Sequence, residues 1–217
     1  MSTHDTEIVR ARNERPALNF QIGDHPAFDF LNTTANLNGR QVEWLETGED
    51  LLEWMVSMKA IDVTTAEMFS DPAQKKKLGA ALKEIVQLRE WFRNLIESIK
   101  AGGETVLAPD QLAELNKYLS RIKRVARVVE RDGALTLRDR KIVHAPKDMA
   151  GIAAEWIADL LSAYAVSLMK MCESDDCSLW FYDLTKSHRR RWCSPSMCGN
   201  REKVAAHRAR KRGVEKR

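Results

Sequence analysis

The chain has 217 residues, of which 44% are hydrophobic and 30% charged, a balance that excludes disorder along the whole chain and suits one or two globular domains. No apolar run approaches the roughly 20 residues of a membrane span, and the polar start lacks the apolar core of a secretory signal, so we expect a cytoplasmic protein without membrane contact. The formal net charge of +4 divides unevenly. Residues 186–217 hold twelve Lys and Arg against two Glu, a net +10, while the other 185 residues hold 23 against 29, a net −6. Such asymmetry is typical of proteins that bind a polyanion.

The first 19 residues are polar and charged, and we expect them to form a flexible arm. Residues 20–170 are predicted to form a mainly helical domain, because apolar residues recur there every three or four positions. Asp71-Pro72 supplies an N-cap and a first-turn proline, and Gly102-Gly103 ends the pattern. The predicted helices cover residues 47–58, a short segment opened by a capping box at Thr64, residues 72–101, 109–122 and 148–171.

The apolar period changes after residue 122. Val125–Glu130 and Ala134–Arg138 read as two strands around a turn that contains Asp132-Gly133, which predicts a β-hairpin. Asp148 then caps a last long helix, predicted to run through Met171 straight into a cysteine-rich end. The predicted fold is therefore mainly α: a helical N-terminal domain with one β-hairpin, followed at residues 171–217 by a small four-cysteine module that ends in a basic helix.

Four cysteines, Cys172, Cys177, Cys193 and Cys198, form two pairs, with four residues inside each pair and 15 between the pairs. Four thiolates in a tetrahedron are a closed structural zinc site, so this spacing predicts one structural Zn²⁺ that stabilises the module. We expect the 15 intervening residues to form a small hairpin around the aromatic strand Trp180-Phe181-Tyr182. Buried free thiols and a thiol redox switch remain alternatives. His188 or His207 could replace one cysteine, but we interpret both as surface or phosphate-contacting residues.

Positive charge lies on both sides of the second cysteine pair, in the segment before Cys193 and on a predicted helix after Cys198. Arginine and lysine at this density beside a zinc module favour nucleic acid over a solvated tail, and a membrane-surface helix would want bulky apolar residues opposite the charges. The candidate nucleic-acid contacts are Arg189, Arg190, Arg191, Asn200, Arg201, Lys203, Arg208 and Arg212.

The segment Trp192-Cys193-Ser194, with Cys198-Gly199-Asn200-Arg201 and Lys203 after it, resembles the CGNR zinc finger. Ala27-Phe-Asp-Phe-Leu-Asn-Thr33 resembles the start of ABATE, the helical domain paired with that finger. The resemblance implies a stress-induced bacterial transcription regulator, with the four cysteines as zinc ligands and Gly199-Asn200-Arg201 opening a helix that contacts DNA. Ser194-Pro195 departs from the Ser-Met pair frequent in this family, which stiffens the loop. Asp175-Asp176 disfavours phosphate contact in the first cysteine loop, so we expect DNA on the second loop and the helix.

A regulator needs an input, and the helical domain offers polar residues near aromatics as candidates for binding a small-molecule effector. These are Asp24, His25, Asp29, Asn32 and Arg40. The same residues also fit caps, turns and salt bridges, which is the interpretation we favour. No phosphate loop, nucleophile elbow or zinc-protease motif is present, so we do not expect an enzyme. The alternative function is a redox-sensing or protein- or RNA-interaction module without sequence-specific DNA binding. A homodimer would suit a palindromic operator, although the sequence shows no dimer seam.

Overall fold

A computed structural model describes residues 22–102 and 106–214 of the chain. It contains seven α-helices and three two-stranded antiparallel sheets within that part, which confirms the mainly helical fold class. The predicted N-terminal arm, residues 1–19, lies outside the described residues. No helix in the described ranges is both long and apolar enough to cross a membrane.

The elements are, in chain order, α1 (Pro26–Leu31), β1 (Thr34–Leu37), β2 (Arg40–Glu43), α2 (Gly48–Ser57), α3 (Val63–Ser70), α4 (Lys75–Lys100), α5 (Pro109–Leu119), β3 (Lys123–Arg131), β4 (Ala134–Ile142), α6 (Met149–Ala163), β5 (Met169–Met171), β6 (Trp180–Tyr182) and α7 (Asn200–Val214). Short 3₁₀ turns precede α4, α6 and β5, and a π-helical turn (Pro195–Gly199) leads into α7.

Contacts divide the chain into two compact units that differ from the predicted division at residue 170. One unit, here the finger unit, joins Met1–Trp44 to Ser167–Arg217, and the other, here the helical unit, is Leu45–Val166. The first 23 described residues therefore belong with the cysteines and not with the helices that follow them. The predicted domain boundaries, residues 20–170 and 171–217, concern modules of the sequence and not these compact units, and they stay a prediction.

The helical unit is built on the 26-residue helix α4, which packs on α2, α6 and the turn before α6. Its buried face carries Leu78, Ile85 and Phe92, which lie at the spacing of one helical stripe. Thr47 caps α2 in a full capping box with Asp50, whose amide donates to the Thr47 hydroxyl at 3.1 Å. The predicted cap of α3 at Thr64 is wrong: Asp62 caps it, accepting from the Thr65 amide at 2.8 Å.

The hairpin β3–β4 confirms the predicted one and is longer, with nine residues in each strand. Its turn residues Asp132 and Gly133 have φ of 54° and 79°, the left-handed pair that a tight two-residue turn requires. Arg127 lies directly opposite Arg138 in the register. Nearly every residue of both strands is exposed, so the hairpin is held mainly by its own ladder and by contacts at its base.

The last helix of the helical unit is shorter than predicted. Helix α6 ends at Ala163, because Tyr164 has an extended backbone (φ −117°, ψ 140°). Residues 169–171 form strand β5 instead, and its partner is β6, with Met169 opposite Tyr182. The aromatic strand thus pairs outside the 15-residue segment, which corrects the predicted hairpin within it. A further unpredicted hairpin, β1–β2, turns at Asn38-Gly39.

Candidate metal centre and nucleic-acid interface

The four cysteines of the finger unit converge on one point. Their sulphur atoms all lie within 4.8 Å of one another, and all four residues are buried. The Sγ atom of Cys193 is 3.8 Å from that of Cys177 and 3.6 Å from that of Cys198. Zinc–thiolate bonds of about 2.3 Å in a tetrahedron give sulphur separations of about 3.8 Å. The cluster therefore has the size and donor set of one structural Zn²⁺ site.

Thiols this close also affect each other's ionisation. Hydrogen bonding from Cys177 and Cys193 lowers the pKa of the Cys172 thiol, whereas hydrogen bonding to Cys172 raises the pKa of Cys177 and of Cys193. A divalent thiophilic ion is the group that allows all four to ionise together.

Backbone hydrogen bonds fix each cysteine pair. Cys172 follows β5 and its amide donates to Leu179 O at 2.9 Å, while the Cys177 amide donates to Ser174 O at 2.9 Å. The Cys193 amide points at Cys172 Sγ at 3.4 Å, which links the second pair to the first. The turn after Cys193 is closed by the Gly199 amide, which donates to Ser194 O at 3.0 Å.

The N-terminal segment supports the strand between the two cysteine pairs. The side-chain amide of Asn32 bonds both backbone groups of Trp180 at 2.8 Å, as a neighbouring strand would. The Phe28 ring stacks on the Trp180 ring with centroids 6.0 Å apart. In the finger unit, the Ala27–Thr33 motif is therefore part of the scaffold of the metal centre.

A buried carboxylate, which sequence analysis missed, organises the basic segment before Cys193. Asp183 is fully buried and accepts from Lys170 Nζ at 2.6 Å, Thr185 Oγ1 at 2.6 Å and the Arg190 amide at 2.9 Å. Burial alone would raise its pKa, but these hydrogen bonds outweigh it and hold the pKa well below the usual range. Lys170 also donates to His188 O at 2.8 Å, so Lys170 and Asp183 together hold both ends of the segment from residue 183 to residue 190.

Two of the predicted DNA-contacting arginines point inward. The Arg201 guanidinium lies 3.3 Å from Cys198 Sγ, donates to Ser174 Oγ at 2.9 Å and also bonds Asn38. The Arg190 guanidinium stacks 4.2 Å above the Phe181 ring and bonds Asp24 and the carbonyls of Trp192 and Cys193. Both arginines act as structural residues around the thiolates in this arrangement.

The other predicted contacts face solvent. Arg189, Asn200, Lys203 and Arg208 are exposed, and their side chains make no hydrogen bond or ion pair within the described residues. Arg191 is exposed too, although it pairs with Glu173 at 2.5 Å. Glu202, the acidic residue in the first turn of α7, accepts a hydrogen bond from Ser174 Oγ at 2.6 Å. The side chain of Arg212 lies outside the described residues.

The predicted effector residues lie in the finger unit and have structural partners. His25 caps α1 by accepting from the Ala27 amide at 3.1 Å, Asp29 accepts from the Gly23 amide at 2.9 Å, and Asp24 pairs with Arg190. Asn32 holds Trp180, as described above, and Arg40 is exposed on β2. An effector role for this set stays a prediction.

Arg201→Ala should weaken zinc binding about tenfold to a hundredfold, the usual cost of removing a residue that orients a metal ligand. The guanidinium supplies positive charge beside Cys198 Sγ and fixes Ser174, and no neighbouring side chain of the described residues replaces it there. Competition with a chromogenic chelator measures the affinity. Lys203→Ala, two residues away on the exposed face, is the matched control and should bind zinc like the wild type.

Asp29→Asn should remove a pH dependence of stability. Burial raises the pKa of Asp29 to about 7, against about 3.9 for an unfolded chain, so the folded state binds the proton more tightly. This stabilisation is complete below pH 4 and is lost as the pH rises to 7, at about 1.4 kcal/mol per pH unit. Between pH 4 and pH 8 the free energy of unfolding of the variant should therefore rise by roughly 4 kcal/mol relative to that of the wild type.

Urea unfolding of both proteins at each pH measures that gain, because zinc ligation titrates equally in the two and cancels in the difference. Asp132→Asn, at the exposed hairpin turn, is the control and should show no such trend. A constant stability difference between Asp29→Asn and wild type across this range would contradict the assignment.

Comparison with known families gives two adjoining matches. Residues 24–164 match the ABATE model, described as "Putative stress-induced transcription regulator", and residues 169–211 match the CGNR zinc finger model. Neither description names an enzymatic activity. A search of curated proteins finds no matching relative. The ABATE match covers well over half of the chain and is followed by the finger whose four cysteines converge, so the chain belongs to the ABATE family and carries a CGNR zinc finger with one structural zinc site.

Proposed function

We propose that this protein is a zinc-dependent, DNA-binding transcription regulator in which the finger unit contacts DNA. Cys172, Cys177, Cys193 and Cys198 hold the ion, and its role is to stabilise the unit. The observation that carries the proposal is the sorting of cations around the metal centre: Arg190 and Arg201 are used internally, while Arg189, Lys203 and Arg208 remain exposed and unpaired within the described residues.

The exposed set suits phosphate contact. Lys203 and Arg208 lie five residues apart on α7, which separates them by about 7–8 Å along the helix axis and by about 140° around it. They lie on different sides of the helix, so each can contact phosphates on its own side. Asn200 at the start of α7 is exposed and supplies the kind of amide that reads a base edge or a phosphate.

The acidic residues Glu202 and Glu173 do not cancel the positive charge of the exposed set, which favours a polyanion as its partner. Glu202 is turned away toward Ser174, and Glu173 pairs with Arg191. We further propose that the helical unit supplies the regulatory input, through a small-molecule effector or through assembly. A homodimer would follow if the operator is palindromic.

Lys203→Ala/Arg208→Ala should lower duplex affinity about tenfold or more, uniformly across sequences, and reduce the slope of log K against log salt by about 2. Fluorescence anisotropy at four salt concentrations measures both quantities. Lys76→Ala/Lys77→Ala removes the same charge from the exposed start of α4 and is the matched control. If the two double variants lose affinity equally, general charge and not this helix is responsible, and the proposal fails.

A further inference from the structure

A cleft of about 850 Å³ opens in the helical unit beside the hairpin β3–β4. One wall is the end of α2 with the start of α3, and the other is the base of the hairpin. Both walls belong to the same compact unit. The volume lies within the range of sites that bind small organic molecules. It is separate from the predicted effector residues, which lie in the finger unit.

The floor of the cleft is apolar. Ile61 and Ile152 are buried there, and the half-buried Trp156 meets Trp54 edge to face with centroids 5.7 Å apart. Val125 of β3 adds an apolar side chain to the wall. A hydrocarbon or aromatic body of a ligand would therefore lose water on binding, which supplies affinity.

The rim of the cleft is cationic. Lys59, Arg127 and Arg140 line it, and Arg140 donates to Asp62 at 2.6 Å across the opening. Lys59 and Arg127 are exposed, and the described residues give their side chains no hydrogen-bonding or ion-pair partner. Two unpaired cations at the edge of an apolar floor can neutralise an anionic head group.

Acidic side chains do not cancel this charge. Asp62 is already bonded to Arg140 and caps α3. Asp139 borders the cleft, but it lies between Arg138 and Arg140 on β4, and alternation directs its side chain to the opposite face of the hairpin. Arg127 and Arg140 share the cleft face by the same alternation, since Val125 pairs with Arg140. The face presented to a ligand is net positive.

The backbone at Lys59 adds an independent observation. This residue follows the end of α2 with φ of 55°, and the Ala60 amide returns to Met55 O at 2.9 Å. Glycine is the usual residue at that left-handed position, because a Cβ there crowds the following carbonyl oxygen. Strained non-glycine positions cluster at ligand sites, and here the strain places an ammonium group at the rim of the cleft.

We propose that this cleft binds a small organic anion, a carboxylate or a phosphate monoester carried on an apolar body. The apolar floor holds the body, and Lys59 and Arg127 hold the head group while Arg140 closes the rim beside it. The binding proposal depends only on these residues. The role of the cleft as the effector site of a regulator rests on the function proposed above.

A matched series of probes tests the head group on the full, zinc-loaded chain: octanoate, octyl phosphate, octanol and octylammonium. Wild-type protein should bind both anions at least about tenfold more tightly than octanol, and octylammonium least. The tighter anion identifies the head group. Tryptophan fluorescence reports binding, and Trp156→Phe should lose the signal change if the probe lies on the cleft floor.

Arg127→Glu should abolish the preference for anions and favour octylammonium instead. Arg131→Glu makes the same charge change on the same face of β3, about 13 Å nearer the hairpin tip, and should leave the anion affinity within about twofold of wild type. Equal affinity for octanol and octanoate in the wild type, or equal effects of the two substitutions, would overturn the proposal.

Duplex DNA affinity, measured on the same proteins, separates this proposal from the proposed function. Arg127→Glu should bind DNA like Arg131→Glu. If Arg127→Glu loses DNA affinity and no variant prefers octanoate, the hairpin is a polyanion surface and the cleft proposal fails. If wild-type protein binds octanoate through Arg127 but binds no DNA, the cleft stands and the DNA-binding function fails.

Discussion

Cys193→Ser should lose the bound zinc, the order of the finger unit and the DNA affinity together. Cys193 Sγ is within 3.8 Å of two other sulphurs, and its removal takes away one of the four vertices of the tetrahedron. Apparent binding free energies for structural Zn²⁺ are about 10–16 kcal/mol, which is comparable to the whole stability of a domain. A unit whose buried core includes all four cysteines has little else of that size to replace it.

Metal analysis and circular dichroism check this expectation. Only α1 and α7, of six and 15 residues, belong to the finger unit among the described helices, so the variant should keep most of its far-ultraviolet helical signal. Met197→Ser, an exposed position in the same cysteine loop, is the matched control and should keep one zinc per chain. A Cys193→Ser protein with one tightly bound zinc would contradict the four-thiolate site.

Asp183→Ala should destabilise the protein strongly, by about 3–5 kcal/mol. It removes a fully buried carboxylate and leaves the Lys170 ammonium without its charge partner and the Arg190 amide without its acceptor. The segment that leads to Cys193 would then lose its anchor. We expect weaker zinc retention in urea, because the ligand loop is no longer held in place.

Zinc release to a chromogenic chelator during urea titration measures the effect specifically in the finger unit. Lys170→Met removes the charge partner alone, and the double variant Lys170→Met/Asp183→Ala should cost less than the sum of the two single changes, because no buried charge is left unpaired. Asp175→Ala, an exposed carboxylate in the first cysteine loop, should cost little. Additive costs for Lys170 and Asp183 would show that the two residues do not act as a pair.

The metal centre was the most predictable feature of the chain. Ligand chemistry restricts zinc to a few side chains, so the number and pairing of the cysteines predicted a cluster that the structure confirms. The hairpin at residues 123–142 was predictable for a similar reason, since Asp132-Gly133 adopts a turn that few other pairs allow. The same signal is present at Asn38-Gly39 and predicts β1–β2.

The sequence could not predict which arginine side chains point inward and which face solvent. Arg190, Arg201 and Arg208 carry the same charge, and one sequence does not show that two of them bond to carbonyls and a cysteine sulphur while the third faces solvent. The grouping of residues 22–44 with the cysteines was also inaccessible, because it depends on contacts such as Asn32 with Trp180, 148 positions apart. Long-range pairs of this kind leave no periodic pattern in the sequence.

The early end of α6 has a related cause. Residues 164–171 contain enough apolar side chains to extend a helical stripe, so local periodicity favoured a longer helix. Pairing of β5 with the aromatic strand β6 instead buries Met169 and aligns Cys172 with the other ligands. Tertiary contacts thus override the local preference next to the metal centre.

One measurement tests the central account most directly: binding of a fluorescent random-sequence duplex to the zinc-loaded protein at about 50 mM salt, before and after chelation and again after zinc is restored. Because the ion orders the unit that carries Lys203 and Arg208, we predict salt-sensitive binding that chelation abolishes and zinc recovers. A zinc-loaded protein that binds no duplex, or a duplex affinity that chelation leaves unchanged, would contradict the account.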